Sequence, residues 1–232
     1  MSNWQTERID PKHTPWFGKK TVLEHQLRYS FAQKFVKNKT VIDLGCGIGY
    51  GSYMLANASA KKVYGLDIDR GAIKQAKHRY LQKNITYILS DSVHTGLSSS
   101  VADVIVAFEI IEHLKNPKKF IQEVTRLLKP NGVFILSTPN SEMSFGDNPY
   151  HIKEFSLNEL KKLLSTFSIR HFFGQHKVNK KLISFYKSIS LRFRPWENPK
   201  ITPLQSSHEY LYFVVVCKKV SKSSSRLALK VE

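Results

Sequence analysis

The sequence predicts an α/β fold in which helices cover both faces of a mostly parallel sheet. From residue 40 onward, short β-rich runs alternate with helix-length amphipathic runs, which is the pattern of parallel strands joined by helical crossovers. Of the 232 residues, 41% are hydrophobic and 23% are charged, so a disordered chain, a collagen and a coiled coil are excluded. We expect a single domain over residues 1–217, with a helical cap at 1–38, a basic insertion at 177–200 and a mobile tail at 218–232.

Five short β-rich runs are the first predicted strands. They are Thr40–Leu44, Val63–Asp67, Ile85–Leu89, Asp103–Phe108 and Val133–Thr138. The clearest helix lies between the last two runs, with Asn116 as its N-cap and Pro117 in its first turn. Its apolar residues recur on one stripe, and Asn131 with Gly132 is expected to end it.

The C-terminal third is predicted to hold one further helix, two strands and a basic helical segment. Ser156 and Glu159 form a capping-box pattern, which places the start of the helix. The strands are expected near Ser168–Phe173 and at Glu209–Cys217. Between them, Val178–Phe193 combines apolar residues at helical spacing with interspersed lysines, and this predicts an amphipathic helix within the insertion.

Charge is the unusual bulk property of the chain. The formal net charge is +18, and residues 152–232 alone carry 16 Lys and Arg against 5 Asp and Glu. Such an excess favours anionic partners, namely nucleic acid, phosphorylated glycans or lipid headgroups, although a lysine-rich solvated surface explains it equally well. Only two cysteines and no long apolar run are present, which predicts a soluble, cytoplasmic protein without a transmembrane segment.

A glycine loop after the first predicted strand indicates which ligand the sheet binds. Glycines 45, 47, 49 and 51 alternate, whereas a dinucleotide loop would need glycine in place of Tyr50. Asp43 precedes the loop and would repel a pyrophosphate, but it suits a cationic amine. Asp67 ends the second strand at the spacing of a ribose-binding carboxylate, and Asp91 could bind an adenine amine. A ligand with adenosine, a cationic amine and no phosphate is S-adenosylmethionine.

Residues 20–175 resemble class I S-adenosylmethionine-dependent methyltransferases, in particular the type 11 and type 23 groups, in the motifs that the chain carries. The matching motifs are VIDLGCGIGYGS, VYGLDID, SDS, ADVIVAFEIIEHL and FIQEVTRLLKPNGVFILSTPN. The resemblance implies a methyltransferase enzyme with a Rossmann-like, doubly wound, seven-stranded sheet that is mostly parallel, with an antiparallel last strand at Glu209–Cys217. The cofactor-binding residues that we expect are Asp43, Gly45, Cys46, Gly47, Asp67, Ile68, Asp91, Ser92, Phe108, Glu109, Arg28 and Tyr29.

Two of these assignments have structural alternatives. Arg28 or Tyr29 could close over the cofactor carboxylate, but Arg28 could instead form an exposed i,i+4 pair with Glu24. Cys46 is interpreted as a small packed residue and not as a nucleophile, because no relay of catalytic partners surrounds it in the sequence.

An E-x-x-E-H motif after the fourth strand is a candidate metal site. Glu109, Glu112 and His113 would share one helical face, and His151 follows the fifth strand at the same sheet edge. These four residues could bind a divalent cation such as Mg²⁺, in an arrangement similar to that of ubiquinone-pathway O-methyltransferases and of enzymes that methylate the 2′-oxygen of small-RNA ends. Without a metal, Glu109 could contact the cofactor and His113 could cap a helix. The predicted catalytic residues are then His113, His151 and Glu112, with an imidazole as general base.

Three acceptor classes remain open from the sequence. A sugar or glycan hydroxyl is preferred, because the EHQLRY and GYGS segments resemble bacterial enzymes of surface-polysaccharide modification and because Trp16 and Tyr150 lie in aromatic segments. An RNA 2′-hydroxyl fits the positive charge, and a quinone-type phenol fits a basic helix lying on an anionic membrane surface. The non-catalytic alternative is a methyltransferase-fold binding protein. The basic insertion is expected to form part of the acceptor wall, with a solvated helix as the alternative.

Overall fold

The computed structural model describes residues 11, 19–144, 148–177 and 199–219, which form one mixed sheet flanked by helices. The α-helices are α1 (Lys19–Ala32), α2 (Tyr50–Asn57), α3 (Arg70–Arg79), α4 (Pro117–Leu127) and α5 (Leu157–Leu163). The strands are β1 (Thr40–Leu44), β2 (Lys62–Asp67), β3 (Ile85–Leu89), β4 (Ala102–Phe108), β5 (Leu128–Pro139), β6 (Ile169–Lys177), β7 (Ile201–Pro203) and β8 (Tyr210–Lys218). The predicted α/β class is confirmed.

The eight strands are ordered β3-β2-β1-β4-β5-β8-β6-β7 across the sheet. β1 to β5 are parallel, and β8 runs antiparallel to β5, as the family resemblance implies for the last strand. The eighth strand is β7, a three-residue edge strand that pairs with β6 and was not expected from the sequence. The connection direction reverses at β1, which has β2 on one side and β4 on the other, so a ligand crevice is expected above their carboxyl ends.

Two apolar cores lie on the two faces of the sheet. Val104, Val106 and Phe108 of β4 belong to the core beneath α1, α2 and α3, whereas Ile105 and Ala107 belong to the core beneath α4 and α5. This alternation follows from the two-residue period of a strand, and the nearly continuous apolar sequence of β4 follows from burial on both faces.

The capping residues predict the starts of α4 and α5 correctly, whereas the predicted end of α4 differs from the structure. Asn116 caps α4 by accepting a hydrogen bond from the Lys119 backbone at 3.0 Å, and Ser156 with Glu159 forms the predicted capping box of α5. The expected end of α4 at Asn131 is wrong, because the chain turns from helix to strand at Leu128. Leu128 pairs with Ala102, and the register then shifts before Val104 meets Val133, so β5 begins earlier than its β-branched run.

Several sequence predictions fall outside the described residues. They include Trp16, most of the basic insertion with its Val178–Phe193 segment, and the tail after residue 219. Among the residues that the structure describes, no helix combines the length and the apolar character needed to cross a membrane.

Candidate cofactor and acceptor site

A cleft of about 1010 Å³ opens at the carboxyl ends of the parallel strands. Its walls come from the loops after β1, β2, β3 and β4, from one face of α1 and from the start of β8. Ten of the twelve predicted cofactor residues line it: Tyr29, Gly45, Cys46, Gly47, Asp67, Ile68, Asp91, Ser92, Phe108 and Glu109. Arg28 and Asp43 are buried and do not line the cleft.

The glycine loop supplies an open, backbone-lined floor. Gly47 has a φ of +53°, and a Cβ atom added there would meet nothing within 4 Å, so its backbone faces the cleft without a side chain. The Gly47 amide donates a hydrogen bond of 2.8 Å to Asp67, which ties the loop to the end of β2. Gly51 is required for a different reason, since a Cβ atom there would collide with the ring of Tyr29.

Asp43 lies beneath this loop as a fully buried carboxylate. It accepts hydrogen bonds from the Ser52 hydroxyl at 2.6 Å and from the Tyr29 hydroxyl at 3.1 Å. Burial raises the pKa of Asp43 to about 7, because desolvation outweighs the stabilisation of the carboxylate by these two donors. A cation in the cleft would therefore favour the ionised form of Asp43.

The part of the cleft above β2 and β3 carries the residues predicted to contact the ribose and the adenine. Asp67 accepts a second hydrogen bond from the Asp69 amide at 2.9 Å, and Ile68 beside it is 72% exposed. Asp91 accepts from the Val93 amide at 2.9 Å, so its carboxylate shapes the loop that carries Ser92. An exposed apolar side chain between two carboxylates is a suitable platform for a purine ring.

The loop after β3 is held in place by a carboxylate that the sequence analysis missed. Glu123 of α4 accepts hydrogen bonds from the Thr95 amide at 2.9 Å and from the Thr95 hydroxyl at 2.6 Å. Arg126 also donates to both oxygens of Glu123. Since Glu123 sits on an apolar helix stripe, an acidic residue at a core position was the available signal.

At the end of β4, Glu109 adopts a left-handed backbone conformation with a φ of +54°. Its side chain accepts a hydrogen bond from the Ser137 hydroxyl at 2.7 Å and lies 3.2 Å from the Arg28 guanidinium. Left-handed conformations of residues other than glycine are costly and occur where the surroundings impose them. The conformation directs Glu109 towards β5 and α1.

Arg28 is completely buried, in contrast to the exposed pair that was one alternative. Its Nε donates a hydrogen bond of 2.6 Å to Gln175 of β6, and its guanidinium stacks on Tyr212 at 4.4 Å from the ring centroid. The Arg28 Nη2 atom has no hydrogen-bond acceptor among the described residues. A contact between Arg28 and the cofactor carboxylate stays a prediction.

Cys46 lies 3% exposed in the glycine loop. Burial, followed by the charge of Asp43, raises the pKa of the Cys46 thiol well above its ordinary value, so the thiolate is disfavoured. This agrees with the interpretation of Cys46 as a packed residue.

Three of the four predicted metal-ligating residues come together in the cleft. Glu112, His113 and His151 each offer a ligand atom, and these atoms lie within 4.8 Å of one another. Glu109 does not belong to this group, because it is held by Arg28 and Ser137. The motif is a single 3₁₀ turn, Ile111–His113, and not the α-helical face that was expected.

Within this cluster, Glu112 is buried and only partly satisfied. Its Oε2 accepts from the Thr138 hydroxyl at 3.2 Å, whereas its Oε1 has no hydrogen-bond partner among the described residues. Burial is the main cause of a pKa of Glu112 well above its ordinary value, and the charge of Glu109 raises it further.

Hydrogen bonds orient both imidazoles of the cluster. His113 Nδ1 lies 3.0 Å from the Tyr150 carbonyl, which can only accept, so the lone pair of the neutral ring is on Nε2. His151 Nδ1 lies 2.7 Å from Glu154, and the Asn148 amide is 2.9 Å from its Nε2, which assigns the same tautomer. Glu154 was also missed from the sequence, although its position three residues after His151 permits the contact.

These features define an α/β protein with a ligand cleft at its topological switch point. The sequence matches the model of the methyltransferase domain family over residues 35–183, and the chain belongs to this family. It is 34% identical over 157 residues to a Mycolicibacterium smegmatis protein named as an S-adenosylmethionine-dependent methyltransferase, which covers 65% of this chain and 58% of the relative. The ubiquinone biosynthesis O-methyltransferase of Haemophilus ducreyi is 32% identical over 128 residues, covering 51% of this chain and 54% of the relative.

The fold comparison agrees with the family assignment. An S-adenosylmethionine-dependent methyltransferase from Thermotoga maritima superposes with a TM-score of 0.65 at 15% identity, covering 88% of this chain and 94% of that chain. The resemblance to class I methyltransferases is thereby confirmed, and the family implies S-adenosylmethionine as the cofactor. The chain spans little more than half the length of the curated relatives it matches.

Proposed function

We propose that this chain transfers the methyl group of S-adenosylmethionine to a hydroxyl oxygen of an acceptor. The observation that carries the proposal is the cluster of Glu112, His113 and His151, of which the two histidines line the same cleft as the glycine loop. A methyltransferase needs only to align acceptor and methyl group, but an alcohol or phenol must also lose a proton, and imidazoles at the acceptor position supply that function.

In this proposal the cofactor lies across the carboxyl ends of β3, β2 and β1. Ile68 would hold the adenine, Asp67 would accept from the ribose hydroxyls, and Gly45 and Gly47 would leave room for the methionine portion. Asp43 contributes its charge from beneath the loop, without touching the ligand, and so favours a cation above the glycines.

The acceptor hydroxyl then binds on the far side of the methyl group, beside the cluster. When bound, S-adenosylmethionine would supply the methyl group: a carbon–oxygen bond would form as the carbon–sulfur bond breaks, and the sulfonium would leave as a neutral thioether. The hydroxyl proton passes to Nε2 of His113, or to Nε2 of His151 once the acceptor has displaced the Asn148 amide from it, because Nδ1 is the protonated nitrogen of each ring. Glu154 positions His151 for this role by holding its Nδ1 proton.

The donor set also fits a divalent cation. Two imidazoles and a carboxylate are ligands that transition-metal ions and Zn²⁺ prefer, more than Mg²⁺ does, and the buried Oε1 atom of Glu112 has no hydrogen-bond partner within the described part of the chain. Glu112, His113 and His151 would hold the ion, and a bound ion would lower the pKa of the acceptor hydroxyl.

A phenolic hydroxyl is our first candidate acceptor, and a sugar hydroxyl is the second. Relatives named ubiquinone biosynthesis O-methyltransferases favour the phenol, as do the apolar side chains of Ile152 and Leu211 in the cleft wall. Ile152 is 54% exposed directly after His151, where an aromatic ring would cover it. The RNA alternative depends on the basic insertion, most of which lies outside the described residues.

The test is methyl transfer from radiolabelled S-adenosylmethionine to catechol, to a methyl glucoside and to a short RNA, using the full chain. We expect transfer to catechol, and a loss of about 10- to 100-fold or more in Glu112→Gln and His151→Gln. His78→Gln, on the exposed surface of α3, is the matched control and should keep full activity.

Metal dependence is tested separately by calorimetric titration with Mn²⁺, Zn²⁺ and Mg²⁺ after chelator treatment. Binding that is lost in His151→Gln and kept in His78→Gln supports the cation, whereas chelator-insensitive turnover leaves the imidazoles as the bases. Tight cofactor binding without transfer to any hydroxyl compound would contradict the proposal and favour a binding protein.

A further inference from the structure

One face of α1 projects into the cleft beyond the glycine loop. Thr21, His25 and Tyr29 are spaced by four residues, so they lie on the same side of the helix, and all three line the cleft. Tyr29 reaches Asp43 beneath the loop. With a rise of 1.5 Å per residue, His25 lies about 6 Å and Thr21 about 12 Å farther along the helix axis, towards its start.

This part of the cleft is on the acceptor side. In the sheet, β2 and β3 lie on one side of β1, and β4, β5 and β8 lie on the other. The candidate ribose and adenine residues follow β2 and β3, whereas α1 lies beside β8, where the Arg28 guanidinium stacks on the ring of Tyr212. The catalytic cluster follows β4 and β5, so α1 and the cluster border the same half of the cleft.

The adjacent face of α1, which carries Glu24 and Arg28, is fixed to β6 by buried polar contacts. His176 Nδ1 lies 2.7 Å from the Glu24 carboxylate, and both side chains are fully buried. The Gln175 amide donates to the Glu24 carbonyl at 2.9 Å and accepts from Arg28 at 2.6 Å. Because buried polar groups lose these partners if the helix shifts, Thr21 and His25 are held in a preorganised position.

The two side chains have the character of a neutral hydrogen-bonding site. Both are half-buried, and neither makes a side-chain hydrogen bond with any residue that the structure describes. Burial, followed by the charge of Arg28, lowers the pKa of His25 well below its ordinary value, so its imidazole is neutral near pH 7. A neutral imidazole and a hydroxyl each offer one donor and at least one acceptor. The charge of Arg28 is already paired with Glu109, so this wall does not present a free cation among the described residues.

We propose that Thr21 and His25 form a second acceptor-binding point, which takes a hydroxyl or carbonyl oxygen of an uncharged acceptor that carries several oxygens. Its chemistry is shared by catechol-type phenols and by glycosides, and it disfavours acceptors with a carboxylate or phosphate at this position. The inference rests on the proposed function, in that the methylated hydroxyl is the one held by Glu112, His113 and His151.

The experiment uses the full chain saturated with S-adenosylhomocysteine, so that binding is measured without turnover. Catechol and methyl glucoside are the uncharged probes, and 3,4-dihydroxybenzoate is the charged one. Affinities are measured by calorimetry, and the imidazole NMR signals of His25 and His78 are assigned with the variants His25→Gln and His78→Gln.

We expect at least one uncharged probe to bind and to shift the His25 signals while the His78 signals stay fixed. Thr21→Val, which keeps the side-chain shape, and His25→Phe should each weaken that probe by about 3- to 10-fold, the loss expected for a neutral hydrogen bond. Affinity for S-adenosylhomocysteine should change less than twofold, and thermal unfolding verifies that both variants are folded.

The proposal is overturned if neither uncharged probe binds, if both variants bind the probes as the wild type does, or if the charged probe binds more tightly than catechol. Methyl transfer assays on the same probes separate this result from the proposed function. A probe that shifts His25 but is never methylated, even by the metal-supplemented wild type, refutes the O-methylation and retains the binding point.

Discussion

Replacing Glu123 by Gln should destabilise the protein by about 3 kcal/mol, because this carboxylate is charged, nearly buried and hydrogen-bonded at both oxygens. Its side chain is 7% exposed, and it accepts four hydrogen bonds from Thr95 and Arg126. These contacts, first those of Arg126, lower the pKa of Glu123 from 4.5 to about 2. At about 1.4 kcal/mol for each pKa unit, the shift corresponds to about 3.5 kcal/mol. The stated loss is slightly smaller because the amide oxygen of Gln still accepts, and it amounts to a fall in Tm of about 6–12 °C for a chain of this size.

The sign of the pH dependence follows from the direction of the shift. Since the pKa of Glu123 is lower in the folded chain, its contribution is complete above pH 4.5 and is lost as the pH falls through about 2. The measurement is urea unfolding of wild type and Glu123→Gln between pH 7 and pH 3, where the difference should shrink to about half.

Glu159→Gln is the matched control for this prediction. The pKa of Glu159 is also lowered to about 2, chiefly by Lys153, but its side chain is 46% exposed. Solvent screening should limit its loss to less than about 1 kcal/mol, and Gln preserves the capping box. Equal losses in the two variants, or a Glu123 difference that does not shrink at low pH, would refute the reasoning from burial.

Two further variants test the cofactor end of the cleft. Asp67→Ala should weaken S-adenosylmethionine binding by about 1.5–3 kcal/mol in calorimetry, since it removes a charged acceptor beside Gly47, and an unchanged affinity would exclude a contact with the ribose. Asp43→Asn should abolish a pH dependence of the free energy of unfolding. The pKa of Asp43 in the folded chain is about 7, above the ordinary 3.8, so the wild type loses stability as the pH rises from 3.8 to about 7, by about 4 kcal/mol in total. If the free energies of unfolding of the wild type and of Asp43→Asn change equally between pH 4 and pH 7, the raised pKa of Asp43 is contradicted.

The parallel core of the fold was predictable because its signals are local. Each of the strands β1 to β4 is a short run of apolar, β-branched or aromatic residues bounded by loops, and α4 begins at an Asn–Pro cap. Strand β7 lacks such a signal, because three residues at a sheet edge owe their conformation to pairing with β6. The early start of β5 likewise depends on its pairing with Ala102 and not on its own sequence.

The candidate site likewise has contacts that were predictable from the sequence and contacts that were not. The proximity of His151 to Glu112 followed from sheet geometry, since both residues come after neighbouring strands at one edge. The separation of Glu109 from them did not, because it depends on Arg28, which lies 81 residues earlier and is buried against its expected tendency. Sequence spacing indicates which residues can meet, whereas a distant charged partner decides which of them do.

Helix α1, which carries Arg28, borders both halves of the cleft. Its cleft-lining face carries Tyr29 at the proposed cofactor end and His25 at the proposed acceptor end, and its adjacent buried face is fixed to β6 through Glu24 and Arg28. A helix fixed at several buried polar contacts cannot slide or rotate without leaving charges unpaired, and such losses cost several kcal/mol. The separation between cofactor and acceptor contacts is therefore set by the fold itself. Because methyl transfer depends above all on the alignment of oxygen, carbon and sulfur, that fixed separation is the main contribution that the fold would make to the proposed reaction.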